Sequence, residues 1–258
     1  MRLSKLVSDG LASVLFKMDY VSFIRSIQSS IPETSYLQGV ANVSAEGVPE
    51  IKPEKKLHGI VMQDEEIRAF SGLLRFKEVI CGDEASYTRF IDCQIEMKKP
   101  VLSRQSFAQL GQYVRDKLTS PADCSAAIWS ILCNDLGKVH VVIGEHEQIF
   151  SKKNIGHDLL LAELLKESPR FFPAFNALPL EYREHIRAGY ASGCDVSQFE
   201  QLELPIISLE SLTALHKKAL DLYILHSIFD VAGAAAHVKP NGSLTLHEET
   251  WQFFDAIS

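Results

Sequence analysis

Four short groups of polar residues stand out because their side chains can bind metals, move protons or hold phosphate. The first is Asn134-Asp135-Leu136-Gly137-Lys138, which ends the apolar run Ile128-Trp129-Ser130-Ile131-Leu132-Cys133. The second is His157-Asp158, at the start of a helical pattern. The third is His226, Asp230 and His237, spaced i, i+4 and i+11. At about 100° per residue these offsets fall within one narrow helix face. The fourth is Gln105, near the start of its own helical stretch. Imidazole nitrogen and carboxylate oxygen suit hard or borderline divalent ions such as manganese, iron, magnesium or zinc. Facing helices of a bundle commonly assemble such sites from one or two side chains each.

Each group also has a plainer reading. Lys138 complements a helix dipole, and Gly137 at positive φ would terminate the helix. Asp135 resists that reading, because a carboxylate at a helix C-terminus opposes the dipole. His157 and Asp158 suit an exposed first turn, where the carboxylate is favourable. His226 and Asp230 form an i,i+4 pair worth about 0.2–0.5 kcal/mol on an open surface. Their neighbours Leu225, Ile228, Phe229 and Val231 imply burial instead, and a buried aspartate needs a partner. His237 precedes Lys239-Pro240 and suits a cation at a helix end.

The elements that must position these groups are mainly helical. Leu3, Leu6, Val7, Leu11, Val14, Leu15 and Met18 recur at helical spacing, predicting an amphipathic helix that ends near Ser29. Residues 31–57, with Pro32, Pro49 and Pro53, read as an irregular passage. Residues 64–79 read as a helix, and 89–97 as either a short strand or a helix end. Ser103 caps a helix with Phe107, Leu110, Val114 and Leu118 on one side. Pro121 opens the next, which runs to Asn134-Asp135 with Gly137 as terminator. A short apolar piece spans 139–144, a helix covers about 155–167, and 169–179 is an aromatic, proline-stiffened loop. Helices then cover 179–190, 208–237 and 245–257. The expected fold is all-α, with residues 1–100 as a less regular N-terminal extension and 101–258 as the main helical domain.

Composition narrows the function. The 258 residues are 46% hydrophobic and 23% charged, enough for a sizeable core. A net charge of −7 argues against a nucleic-acid backbone as partner, though a local anion site remains compatible with it. Charges at Lys5, Asp9, Lys17 and Asp19 interrupt the apolar N-terminus, so neither a signal core nor a membrane span is expected there. The odd set Cys81, Cys93, Cys124, Cys133 and Cys194 contains no CxxC and suits a reducing, cytoplasmic compartment.

Taken in order, these residues resemble the HD superfamily of all-helical, metal-dependent phosphohydrolases and phosphodiesterases. Asn134-Asp135-Leu136-Gly137-Lys138 is similar to that family's His-Asp-x-Gly-Lys segment. Gln105 lies 29 residues before Asn134, a separation similar to that of the family's first histidine. His157 opens a helix like the family's next histidine-led one, and Asp230 is similar to its final aspartate. The resemblance covers about residues 100–240, and two of its four metal-ligand positions carry amides. It implies a divalent metal held by Asp135 and Asp230, with His157 or His237 completing the shell or moving protons. Lys138 would neutralise a phosphate oxygen, and Gln105, Asn134 and His226 would line the ligand pocket. The expected activity is hydrolysis of a small phosphorylated or nucleotide substrate. The alternative is an inactive HD-like protein without metal, binding a small ligand or a partner protein through the former metal pocket. A structural adaptor with these groups scattered over its surface is the third reading.

Overall fold

The structure, a computed structural model, describes residues 3–39, 42–43, 49–50, 55–138, 156–193 and 211–257. It is mainly α-helical, and the described strands form two short antiparallel pairs, β1 (Asn42–Val43) with β2 (Pro49–Glu50) and β3 (Lys55–Leu57) with β4 (Ile60–Met62). The apolar piece at 139–144 and residues 208–210 lie outside the described residues.

The N-terminal segment departs from the single amphipathic helix that its spacing predicts. α1 (Leu3–Leu6) stops early, and 3-10 turns at Gly10–Ala12 and Val14–Lys17 follow. Gly10 sits at φ 58°, a left-handed conformation that a continuing helix does not tolerate. Regular helix resumes only at α2 (Tyr20–Ser30), where the Asp19 carboxylate accepts the Ser22 N–H at 2.9 Å. Val14, which that spacing placed on the apolar face, is 65% exposed, and Leu11 and Met18 are only partly buried, whereas Leu3, Leu6, Val7, Leu15, Phe16, Phe23 and Ile27 are buried. These buried residues belong to one core that continues to Phe254.

Two central helices organise that core. α3 (Asp64–Cys81) buries nearly its whole length, including the charged residues of its first turn. α6 (Pro121–Cys133) is buried from Asp123 to Cys133 and has no polar face, as expected of a helix enclosed on all sides. Its start is a full capping box between Ser120 and Asp123, with Pro121 in the first turn. Around this pair lie α4 (Glu84–Glu96), α5 (Arg104–Lys117), α7 (His157–Glu167), α8 (Pro173–Asn176), α9 (Leu180–Ala191), α10 (Lys217–Gly233) and α11 (Glu248–Ile257). The stretch 89–97 therefore belongs to a helix, and 169–179 contains a 3-10 turn and the short α8.

α3 and α10 cross closely because two glycines face each other's backbones. A methyl at Gly72 would overlap the Phe229 carbonyl, and one at Gly233 would overlap the Arg68 carbonyl and the Gly72 backbone. This crossing carries Arg68 of α3 towards Asp230 of α10. A Gly72→Ala substitution must push the two helices apart. A loss of about 1–3 kcal/mol in urea denaturation is expected. Gly156→Ala, whose added carbon would meet no heavy atom within 4 Å, should change stability by no more than about 0.5 kcal/mol.

Candidate functional site

Asn134–Lys138 continues α6 as a 3-10 turn, so the chain stays coiled through the polar group. The tighter winding brings Asp135 and Lys138, three residues apart, into direct contact: Lys138 Nζ lies 2.6 Å from Asp135 Oδ1. Gly137 is absent from the residues at positive φ, contrary to a terminator role. It is there because any side chain would collide with the His157 carbonyl at the start of α7. The close approach brings His157 Nε2 to 3.7 Å from Asp135 Oδ1 and 3.1 Å from Asp158 Oδ1.

These groups line a cavity of about 130 Å³ together with Arg68, Tyr223, His226, Ser227 and Asp230. Asn134, Asp135, Lys138, His157, His226 and Asp230, separated in sequence, are thus brought together from the α6 extension, α7 and α10. Two sequence-derived candidates fall elsewhere. Gln105 is exposed in a groove between α5 and α11, beside Glu248 and Trp251. His237 lies beyond the end of α10, where the helical register that would aim it inward is lost, and its Nδ1 is 3.1 Å from the Ala234 carbonyl. The helix that takes the place expected of the one bearing Gln105 is α3, through Glu65 and Arg68. Both oxygens of Glu65 accept hydrogen bonds from Arg68 Nη1 at 3.1 Å.

The electrostatics follow from crowding. Burial, then a hydrogen bond and repulsion from Asp135, push the Glu65 carboxyl up to about 7. Burial also acts on Asp135, but Lys138, the Glu65 hydrogen bond and Arg68 overcome it and hold that carboxyl at about 2. Glu65 and Asp135 therefore share a proton, with the charge on Asp135. Burial and the Asp135 charge raise Asp230 to about 6, against the pull of Arg68 and a hydrogen bond from Asn134. Burial works against the charge on Lys138, yet Asp135 and Glu65 raise its pKa. His157 is raised, first by its hydrogen bond to Asp158. Tyr223 donates to the other Asp158 oxygen at 3.5 Å.

The donor set does not fit the metal shell that the HD resemblance implies. Asp135 spends an oxygen on the Lys138 ammonium, Asp230 is hydrogen-bonded by Asn134, and Gln105 is remote. Among the described residues no three His, Cys, Asp or Glu side chains are grouped so as to hold a metal ion. What the arrangement offers is two permanent cations, a histidine at the mouth, and carboxyls that exchange protons near neutrality.

A helical protein with an ionised, partly open cavity beside its central helices is the class that fold and site define. The chain belongs to a family of unknown function (DUF6829), which matches residues 63–258. That match begins at the residue before α3, so it includes every cavity residue together with Glu65, which contacts Arg68 and Asp135 behind them. No curated protein and no solved structure matches the chain. Among the described residues no helix is long and apolar enough to cross a membrane.

The proton inventory predicts the pH dependence of folding. Glu65 and Asp230 hold protons in the folded state that the unfolded chain has released above its ordinary carboxylate range. Their contribution is whole below about pH 4 and is lost as pH rises through about 6 to 7. Asp135 acts in the opposite sense, stabilising above about pH 4 and losing that contribution towards pH 2. The urea midpoint should therefore fall between about pH 5 and about pH 7.5, and Glu65→Gln should flatten that slope. Asp135→Asn leaves Lys138 without its closest counter-charge, and a loss of about 3–5 kcal/mol at pH 7 is expected in the same melt.

Proposed function

We propose that the cavity binds a small phosphorylated compound by its phosphate group. The observation that carries this reading is the convergence of Arg68, Lys138 and His157 on one partly open cavity. These are the donors that phosphate recognition uses, with Arg68 offering a planar fork and Lys138 a point charge. A volume of about 130 Å³ lies below the roughly 300–1,000 Å³ of pockets that enclose drug-sized ligands. A phosphate with its hydration fits inside, and the remainder of a larger molecule would extend past His157, whose side chain is 41% exposed. The carboxyls tune this binding rather than forbid it. Glu65 is half protonated at about pH 7, and an entering anion draws further protons onto Glu65 and Asp230.

A second reading, phosphoester hydrolysis in the manner of the HD superfamily, is favoured by those same carboxyls. Groups that titrate near 6 and 7 suit proton transfer at neutral pH. In that reaction water attacks phosphorus, the carboxyl pair takes its proton, and His157 protonates the departing oxygen. Lys138 and Arg68 offset the charge gathering on the phosphoryl oxygens.

Isothermal titration with nucleoside monophosphates and sugar phosphates tests the first reading. Affinity should fall as pH rises from about 6 to about 8, and Lys138→Ala should weaken it at least about tenfold. A site built around a metal gives the opposite pH trend, because its ligands must lose protons. About one equivalent of Mn²⁺, Fe²⁺, Mg²⁺ or Zn²⁺ per chain, with affinity rising with pH, would contradict the proposal. Release of inorganic phosphate from the bound compound, abolished by Glu65→Gln, would establish the hydrolytic reading.

A further inference from the structure

α9 and α10 also meet at a corner outside the ionised cavity. His185 of α9 and His216, the residue before α10, stack there with ring centroids 4.9 Å apart and planes 5° from parallel. His216 is the N-cap of α10, and its Nδ1 accepts the Lys218 N–H at 3.3 Å. The usual caps are Asn, Asp, Ser and Thr, which keep their acceptor through the neutral range. Histidine does not. An Nδ1 that accepts a hydrogen bond carries no proton, and a proton there sets one donor against another. It also adds a positive charge at the positive end of the helix dipole.

The surroundings compensate that charge poorly. Lys217 and Lys218 follow His216 directly, and Lys117 of α5 reaches α10 at Asp221. The aspartates of this corner are already engaged, Asp221 by Lys117 at 2.9 Å and Lys217 at 2.8 Å, and Asp123 of α6 by Lys218 at 2.8 Å. Tyr182, whose ring meets His185 edge-on, donates to Asp123 as well. Glu181 and Glu184, on the same helix as His185, favour its charged form. Burial and then His216 outweigh them and lower the His185 pKa. On its other side His185 borders a crevice with Tyr190, Tyr223 and His226.

We propose that the His185–His216 stack is an acid-released latch on the start of α10: protonation of the pair removes the cap and frees the first turns of the helix from α9. The release reaches the ionised cavity, because Tyr223 and His226 line both it and the crevice beside His185. The lowered pKa sets the direction. The His185 contribution is whole above the ordinary histidine value of about 6.5 and is lost as pH falls below it. Glu65 and Asp230 act in the opposite sense, so a melt of the whole protein mixes the two and the latch must be read locally. The latch uses none of the phosphate donors Arg68, Lys138 and His157, so it stands or falls separately from that reading.

The test is amide hydrogen exchange on the full-length protein from about pH 7.5 to about pH 5, expressed as protection relative to the intrinsic rate. The Lys218 and Leu220 amides, bonded to His216 Nδ1 and to the His216 carbonyl, report on the latch. Their protection should fall at least about fivefold over that range, the factor that loss of one N-cap implies. Amides of the enclosed α6 should show no such fall. His216→Asn, at an exposed position, supplies a cap that does not titrate and should abolish the pH dependence. His185→Phe keeps a ring in the stack without a charge and should reduce it. Protection that does not change with pH, a fall shared by α6, or a fall that His216→Asn leaves unaltered would each overturn the proposal.

Discussion

The contact on which the rest depends is backbone against backbone. Gly72 and Gly233 let α3 and α10 cross without side chains between them, and Gly137 lets the α6 extension press on the start of α7. Both contacts lie beside the cavity. They set its dimensions, because helices separated by even one methyl group would move Arg68 from Asp230 or His157 from Asp135. Close packing of this kind is rigid, since an interior at crystalline density accommodates an added carbon only by displacing its neighbours.

That rigidity explains why so many ionisable groups can be held in one place. Glu65, Asp135 and Asp230 repel one another, and burial opposes the charge on each. Lys138 and Arg68 offset only part of this, so the remainder appears as protons retained on Glu65 and Asp230. Folding stability spent on such a cluster is the usual mark of a functional site, because apolar residues of similar volume would pack as well or better. The network also accounts for the mismatch with a metal shell. Lys138 occupies the oxygen of Asp135 that a metal would need, and Asn134 engages Asp230 with a neutral amide.

Much of this was legible in the sequence, and the failures have physical causes. Asp135 announced itself by opposing a helix dipole, and Asp230 by its apolar neighbours, so both were found from local chemistry alone. Glu65 and Arg68 were missed because Asp64-Glu65-Glu66 reads as an ordinary acidic first turn, which helices favour at their N-termini. Nothing local reveals that this turn is buried. Gln105 failed for the converse reason: its distance along the chain from Asn134 suggested a partner, but sequence separation does not fix which helices face each other. The signals that would have served were Gly72 and Gly233. An isolated glycine in a helical pattern marks a close backbone approach, and these two identify the crossing beside which the site is built.

A fixed helix crossing confines carboxyls and cations so tightly that their protons are redistributed. Side-chain carboxyl ¹³C shifts followed over a pH titration measure this directly. Glu65 should titrate near 7 and Asp230 near 6, while Asp135 should stay ionised to about 2. If all three instead titrate together close to 4, the ordinary carboxylate value, the helix crossing does not redistribute their protons.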